Sequence, residues 1–146
     1  MLYIKFGKLE LAMQSALVIA LSLHVLSSVF WAGSSFALAR TGGAGGEQLV
    51  FPQLGAATIA ILTGGYLGHL VHSGSFGTTE QVLAVGAVCA LIAAGVQAAI
   101  GPRALAALRR GVGNPEDLRS RIAGAQRVAA GLLGIAALCM GAARYI

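Results

Sequence analysis

Charge is what this sequence has least of. Five acidic and ten basic residues leave 10% of the 146 positions charged, against about 25% in an ordinary soluble domain. That is too little to solvate the outside of a water-soluble globule, so a cytosolic enzyme is excluded. Long apolar runs exclude a disordered tail. There are two cysteines, Cys89 and Cys139, and both fall inside apolar runs. A disulfide-stapled secreted module is therefore excluded, and the redox compartment stays unread. Acids are missing from the apolar runs altogether. Without them there is no Ser/His/acid set for hydrolysis within a membrane, and no Asp/Glu relay for protons or coupled ions. The net charge of +5 does not point to nucleic acid, because the arginines cluster between the apolar runs, where membrane topology places them.

What is present is apolar surface: 57% of the residues, with a mean hydropathy of +0.80. No Lys, Arg, Asp or Glu occurs in Leu11–Ala39, Leu49–Thr79, Gln81–Pro102 or Val128–Ala143. Each run holds or closely approaches the span of about 20 residues that carries an α-helix across a bilayer core. The sequence thus predicts an all-α integral membrane protein, an antiparallel up-down four-helix bundle in one transmembrane domain. Its helices are expected near 13–39, 52–73, 79–101 and 115–144. Pro52 suits the first turn of the second helix. Thr78 and Gln81 fit a capping box. Asn114-Pro115-Glu116-Asp117 is a helix start with cap, proline and acids on the positive dipole end, and it projects the last helix beyond its apolar run. Thr41–Gly46 reads as a flexible loop, with no strand before it and no Lys-Ser/Thr after it to make a phosphate cradle. Residues 1–10 read as an interfacial lead-in rather than a cleaved signal, since the apolar stretch that follows is about twice an h-region. Arg40, Arg103, Arg109, Arg110, Arg119, Arg121 and Arg127 fall on one side, against Lys5, Lys8 and Arg144 on the other. The positive-inside rule then puts a long third loop in the cytoplasm of a cell with an inner membrane, and both termini in the periplasm.

The residues able to carry chemistry are soft and imidazole ligands. In the first helix Gln14, Leu17, Leu21, His24, Ser28, Trp31 and Ser35 share one face, and a polar stripe in lipid faces the bundle interior. In the second, Thr58, Leu62, Gly65, His69 and His72 form a similar stripe, and Gly64 with Gly68 makes a small-xxx-small pair. The rise of about 1.5 Å per residue places His24 and Cys89 roughly 3 Å outward of the bilayer centre and His69, Cys139 and Met140 roughly 7–11 Å outward, so that the candidate ligands fall in the outer half. His72 and Met13 are shallower still. Two sites fit this placement. His24 with His69 or His72 could ligate haem b between helices, beside Trp31. Alternatively His69, His72 and the sulfur of Met140, Met13 or Cys139 could hold copper, which thioether and imidazole suit. Each residue also has a plain structural role: a histidine bonded to a neighbouring helix, Trp31 as interior filling, and Gln97, Gln126 and Tyr66 as interhelical hydrogen-bond glue.

The run His24-Val25-Leu26-Ser27-Ser28-Val29-Phe30-Trp31-Ala32-Gly33 resembles the first helix of the small CopD-like membrane proteins and, more distantly, of the HemJ-type protoporphyrinogen oxidases. Ile61–Tyr66 and Arg121–Tyr145 are similar to parts of their second and last helices. The resemblance implies a four-helix bundle whose first-helix histidine, His24, contacts copper or haem. The sequence departs from the HemJ pattern in lacking a lysine in the third helix, and only Arg40 could replace an arginine after the first-helix aromatics. Three functions are thereby in view: a redox metal centre for copper handling or electron transfer, a non-catalytic accessory subunit of a larger membrane complex or homo-oligomer, and a HemJ-like oxidoreductase.

Overall fold

A backbone segment in hydrocarbon must pair its N–H and C=O groups within itself, and each apolar run does so as a helix. The structure, a computed structural model, describes the backbone of residues 2–71 and 77–146 and the side chains of residues 10–70 and 77–146. The described residues form four helices: α1 (Leu2–Arg40), α2 (Gly46–Val71), α3 (Thr78–Arg109) and α4 (Pro115–Ala142). All four are long and apolar enough to cross a membrane, so the chain is a multi-pass membrane protein.

Close contacts fix the register. His24 sits on Gly64, Gln53 meets Ser34 and Ser35, Val50 lies on Gly101, Gln97 meets Gln126, and Gly86 lies against Ala136 and Cys139. Along the α1–α2 and α3–α4 seams the paired residue numbers sum to a near-constant value, so the two helices of each pair run antiparallel. Each packs on its neighbours in sequence, α1 and α4 close the ring, and the α3–α4 interface is the most extensive. The core is built of small side chains, Ala56, Ala57, Ala60, Ala93 and Ala129, around Trp31 and Leu133. Between helices in lipid there is little hydrophobic drive, and alanine lets backbones approach closely enough for dispersion to hold them.

The helices outrun the apolar runs that predict them. α2 begins at Gly46, so Pro52 stands inside it rather than in its first turn. α3 continues through Pro102 to Arg109, and the expected long third loop shrinks to residues 110–114. The reason is common to both. Loss of apolarity marks where hydrocarbon ends, whereas Glu47-Gln48 and Ala104–Leu108 remain good helix formers in water. Asn114 caps α4, its Oδ1 accepting from the Glu116 N–H at 3.0 Å. At α3 the cap is displaced by one residue from the expected box: the Gly77 N–H donates to Glu80 Oε2 at 2.8 Å. The lead-in at residues 2–10 is continuous with α1.

The α1–α2 connection is an ordered turn rather than a flexible loop. Gly42, Gly43 and Gly45 all have positive φ. Gly43 is buried against the start of α4, where a Cβ would overlap the Arg119 carbonyl. One turn of the same end, Arg119 pairs with Glu47 at 3.0 Å and ties α4 to α2. Arg40, Glu47, Arg103, Arg119 and Arg121 thereby lie at about one level, a charged belt marking one membrane boundary. Arg144 lies 23 residues beyond Arg121 in sequence, roughly 34 Å at the helical rise, which matches a bilayer core and marks the other.

Candidate functional site

Two polar sites lie within the bundle. The larger draws on all four helices at the depth of Trp31–Ser35. The Trp31 indole N–H donates to Gln97 Oε1 at 2.6 Å. Gln97 Nε2 donates to Ser35 Oγ at 2.9 Å and to Gln126 Oε1 at 2.7 Å. Gln53 Nε2 faces Ser35 Oγ at 2.9 Å, with Ser34 Oγ and Gln126 Oε1 both at 3.1 Å. Gln126 Nε2 closes the circuit onto Gln53 Oε1 at 2.7 Å. Both serine hydroxyls donate to the Trp31 carbonyl of their own helix, which leaves their lone pairs to accept the amides. Trp31, Ser35, Gln53, Gln97 and Gln126 are each no more than 2% exposed. Every buried side-chain N or O among the described residues has a partner. An amide in hydrocarbon without one would cost several kcal/mol by transfer estimates of about 2–7, so this closed circuit fixes both the register and the rotation of the four helices.

The second site is His24. Its Nδ1 lies 2.9 Å from the Ala60 carbonyl and 3.3 Å from Thr63 Oγ1. A carbonyl only accepts, and the Thr63 hydroxyl already donates to the Ile59 carbonyl at 2.6 Å. The proton is therefore on Nδ1, and it donates across the α1–α2 seam. The imidazole packs against Gly64, where a Cβ would come 2.9 Å from His24 Cε1. Ser27 and Ser28 flank it on α1.

Among the described residues the other candidate ligands do not gather round it. His69 is exposed and lies five residues along α2 from Gly64, about 7.5 Å of helical rise toward the membrane boundary. His72 lies outside the described residues. Met140 is exposed near the end of α4, Met13 is exposed on α1, and Cys139 is half-buried against Gly86 of α3. Cys89 is half-buried on α3. Among the described residues no group of three or more His, Cys, Asp or Glu could hold a metal ion. The Nδ1 of His24 is committed to α2, so Nε2 is the ring nitrogen that could face a metal, and the second histidine described, His69, is exposed and about a turn and a half of helix away from Gly64. Trp31 has its single polar atom committed to Gln97, and what it offers is a buried hydrogen bond.

The α2 stripe predicted to face inward, Thr58, Leu62, Gly65 and His69, is exposed instead. The inward face is Val50, Gln53, Ala56, Ala57, Ala60 and Gly64, and it carries the site residue that sequence reasoning missed, Gln53. Its signal was available: a glutamine inside a charge-free run, with alanines three, four and seven positions on. Gln97 and Gln126 act as interhelical glue as expected, whereas Tyr66 is 45% exposed. The N-terminal part of the α1 stripe also differs. Gln14, Leu17 and Leu21 are exposed, and the first buried residue of α1 among those described is Ala20. Comparison of the chain with protein-family models, with curated proteins and with solved structures finds no match.

Proposed function

We propose that this chain is a non-catalytic accessory subunit, a rigid four-helix unit that helps to build a larger membrane assembly. The observation that supports this is the uncovered part of α1. The charge-free run Leu11–Ala39 is roughly 43 Å long at the helical rise, about 13 Å more than a hydrocarbon core. By the register at Gly43 and Arg119, α4 ends level with Ala20. Below that point Leu11, Met13, Val18 and Ile19 are each 58–65% exposed. A continuous apolar helix surface longer than the bilayer suits a neighbouring helix as well as lipid. The test is the size of the particle extracted from membranes in a mild detergent. The wild-type chain is expected in an assembly larger than its own monomer, and Val18→Lys, which removes nothing from the bundle core, is expected to release it as a monomer. A wild-type chain that runs as a free monomer, or an assembly indifferent to Val18→Lys, overturns the reading.

One observation favours a second reading, the copper handling that the resemblance to CopD-like proteins implies. A metal-binding imidazole commonly donates its other N–H to a backbone carbonyl, and the Nδ1–H of His24 does so to Ala60, which leaves Nε2 as the ligand atom. Bound copper by elemental analysis, lost in His24→Ala, would support it. Metal-free protein that His24→Ala leaves unchanged would remove it. For the arrangement in the cell, the charge count supports a cytoplasmic seven-arginine end and outward-facing termini in an inner membrane.

A further inference from the structure

A groove of about 550 Å³ runs between α3 and α4 at the level of the charged belt. Its walls are apolar and small, with Ala99, Ile100 and Ala104 on α3 facing Gly124 and Ala125 on α4. Arg103 and Arg121, one from each helix, also line it, and both are exposed. Arg103 curls back along α3, its Nη1 donating to the Ala99 carbonyl at 2.6 Å. That keeps the guanidinium beside the groove it lines. The groove is open at Gly124, where an added Cβ would meet nothing within 4 Å, although α3 and α4 are tightly packed elsewhere.

We propose that this groove binds an anionic phospholipid of the surrounding bilayer. The lipid phosphate bridges Arg103 and Arg121 at the depth where phosphates lie, and one acyl chain descends over Ile100 and Gly124 toward the level of Gln97 and Gln126. Both halves of the ligand are matched. Two guanidinium groups, that of Arg103 tied back to its own helix, supply forked donors to the phosphate, and a small-residue trough supplies contact area to the chain. A zwitterionic lipid would bring its own cation against two arginines, so the site discriminates by net headgroup charge.

The test is native mass spectrometry of the detergent-purified protein, incubated with equal amounts of dioleoyl phosphatidylglycerol and dioleoyl phosphatidylcholine. The wild type is expected to retain phosphatidylglycerol in preference. Each of Arg103→Gln and Arg121→Gln should lower that preference roughly fivefold, and the double variant should abolish it. Arg109→Gln/Arg110→Gln removes the same charge outside the groove and should preserve it. Gly124→Leu puts an apolar side chain into the groove at a position where a Cβ meets nothing, and should reduce retention of both lipids. Equal retention of the two lipids by the wild type overturns the proposal. So does an equal loss in the Arg109/Arg110 variant, which would reveal only a diffuse basic surface. Undiminished retention in Gly124→Leu would remove the acyl-chain trough.

Discussion

Gln126 is the residue on which the interior polar circuit turns, because its Oε1 accepts from Gln97 while its Nε2 donates to Gln53. Gln126→Leu keeps the volume but strands two amides in an apolar core. It is expected to lower stability by about 1–3 kcal/mol, read as thermal unfolding in detergent. The two serines should differ. Ser35 accepts from both Gln53 and Gln97, whereas Ser34 accepts from Gln53 alone. Ser35→Ala should therefore cost more than Ser34→Ala, with the larger loss near the roughly 1.7 kcal/mol maximum measured for hydrogen bonds between membrane helices. At Gly64 the prediction is steric. Gly64→Ala drives a methyl into the His24 ring and should cost about 1–3 kcal/mol, while Gly68→Ala, which meets open space, should cost nothing measurable. Much of this was legible in the sequence, since polar residues in charge-free runs must find partners inside. Gln53 escaped because its helix face was assigned from His69 and His72. A histidine near the membrane boundary has no need to turn inward, and an amide within the hydrocarbon does.

At the scale of the element, the helices record two lengths, one set by hydrocarbon and one by hydrogen-bond propagation. Hydropathy reads the first and misses the second, which is why all four spans were legible while the ends at Gly46 and Arg109 were not. The same distinction divides α1. From Ala20 to Leu38 it buries side chains against three neighbours, whereas Glu10–Ile19 is exposed throughout. A helix turn without tertiary packing is held by its own hydrogen bonds alone and opens at low free energy. In detergent-solubilised monomer the backbone amides of residues 11–18 are therefore expected to exchange with solvent deuterium at least about tenfold faster than those of residues 27–35. Uniform protection along α1 would mean that a neighbour covers this segment even in the isolated chain. The Glu47–Arg119 pair is an element tie of a different kind. It is exposed, so Glu47→Gln should cost no more than about 1 kcal/mol.

For the whole molecule the governing asymmetry is electrostatic. One end carries the charged belt, with Arg109 and Arg110 on the α3–α4 hairpin projecting beyond it and Arg127 exposed about a turn and a half within it. The other end carries Glu10, Glu80 and Arg144 among the described side chains. Arginine resists transfer across a bilayer, so the belt end should remain cytoplasmic. In a background where Cys89 and Cys139 are alanine, Ser120→Cys should resist a membrane-impermeant thiol reagent applied to intact cells, and Tyr145→Cys should react. The rule also gives a stronger test, because it makes orientation a matter of degree. Replacing Arg109, Arg110 and Arg121 by glutamine leaves four of the seven basic residues on the belt end, and three lysines appended after Ile146 raise the opposite end from three to six. That count favours inversion, and the labelling of the two cysteines should exchange in a substantial fraction of molecules. Labelling that stays as in the parent, with the altered protein still inserted and folded, would show that topology here is set by something other than the arginine count. The candidate would then be the long apolar first helix, which enters the membrane before any arginine of the belt except Arg40 has been made.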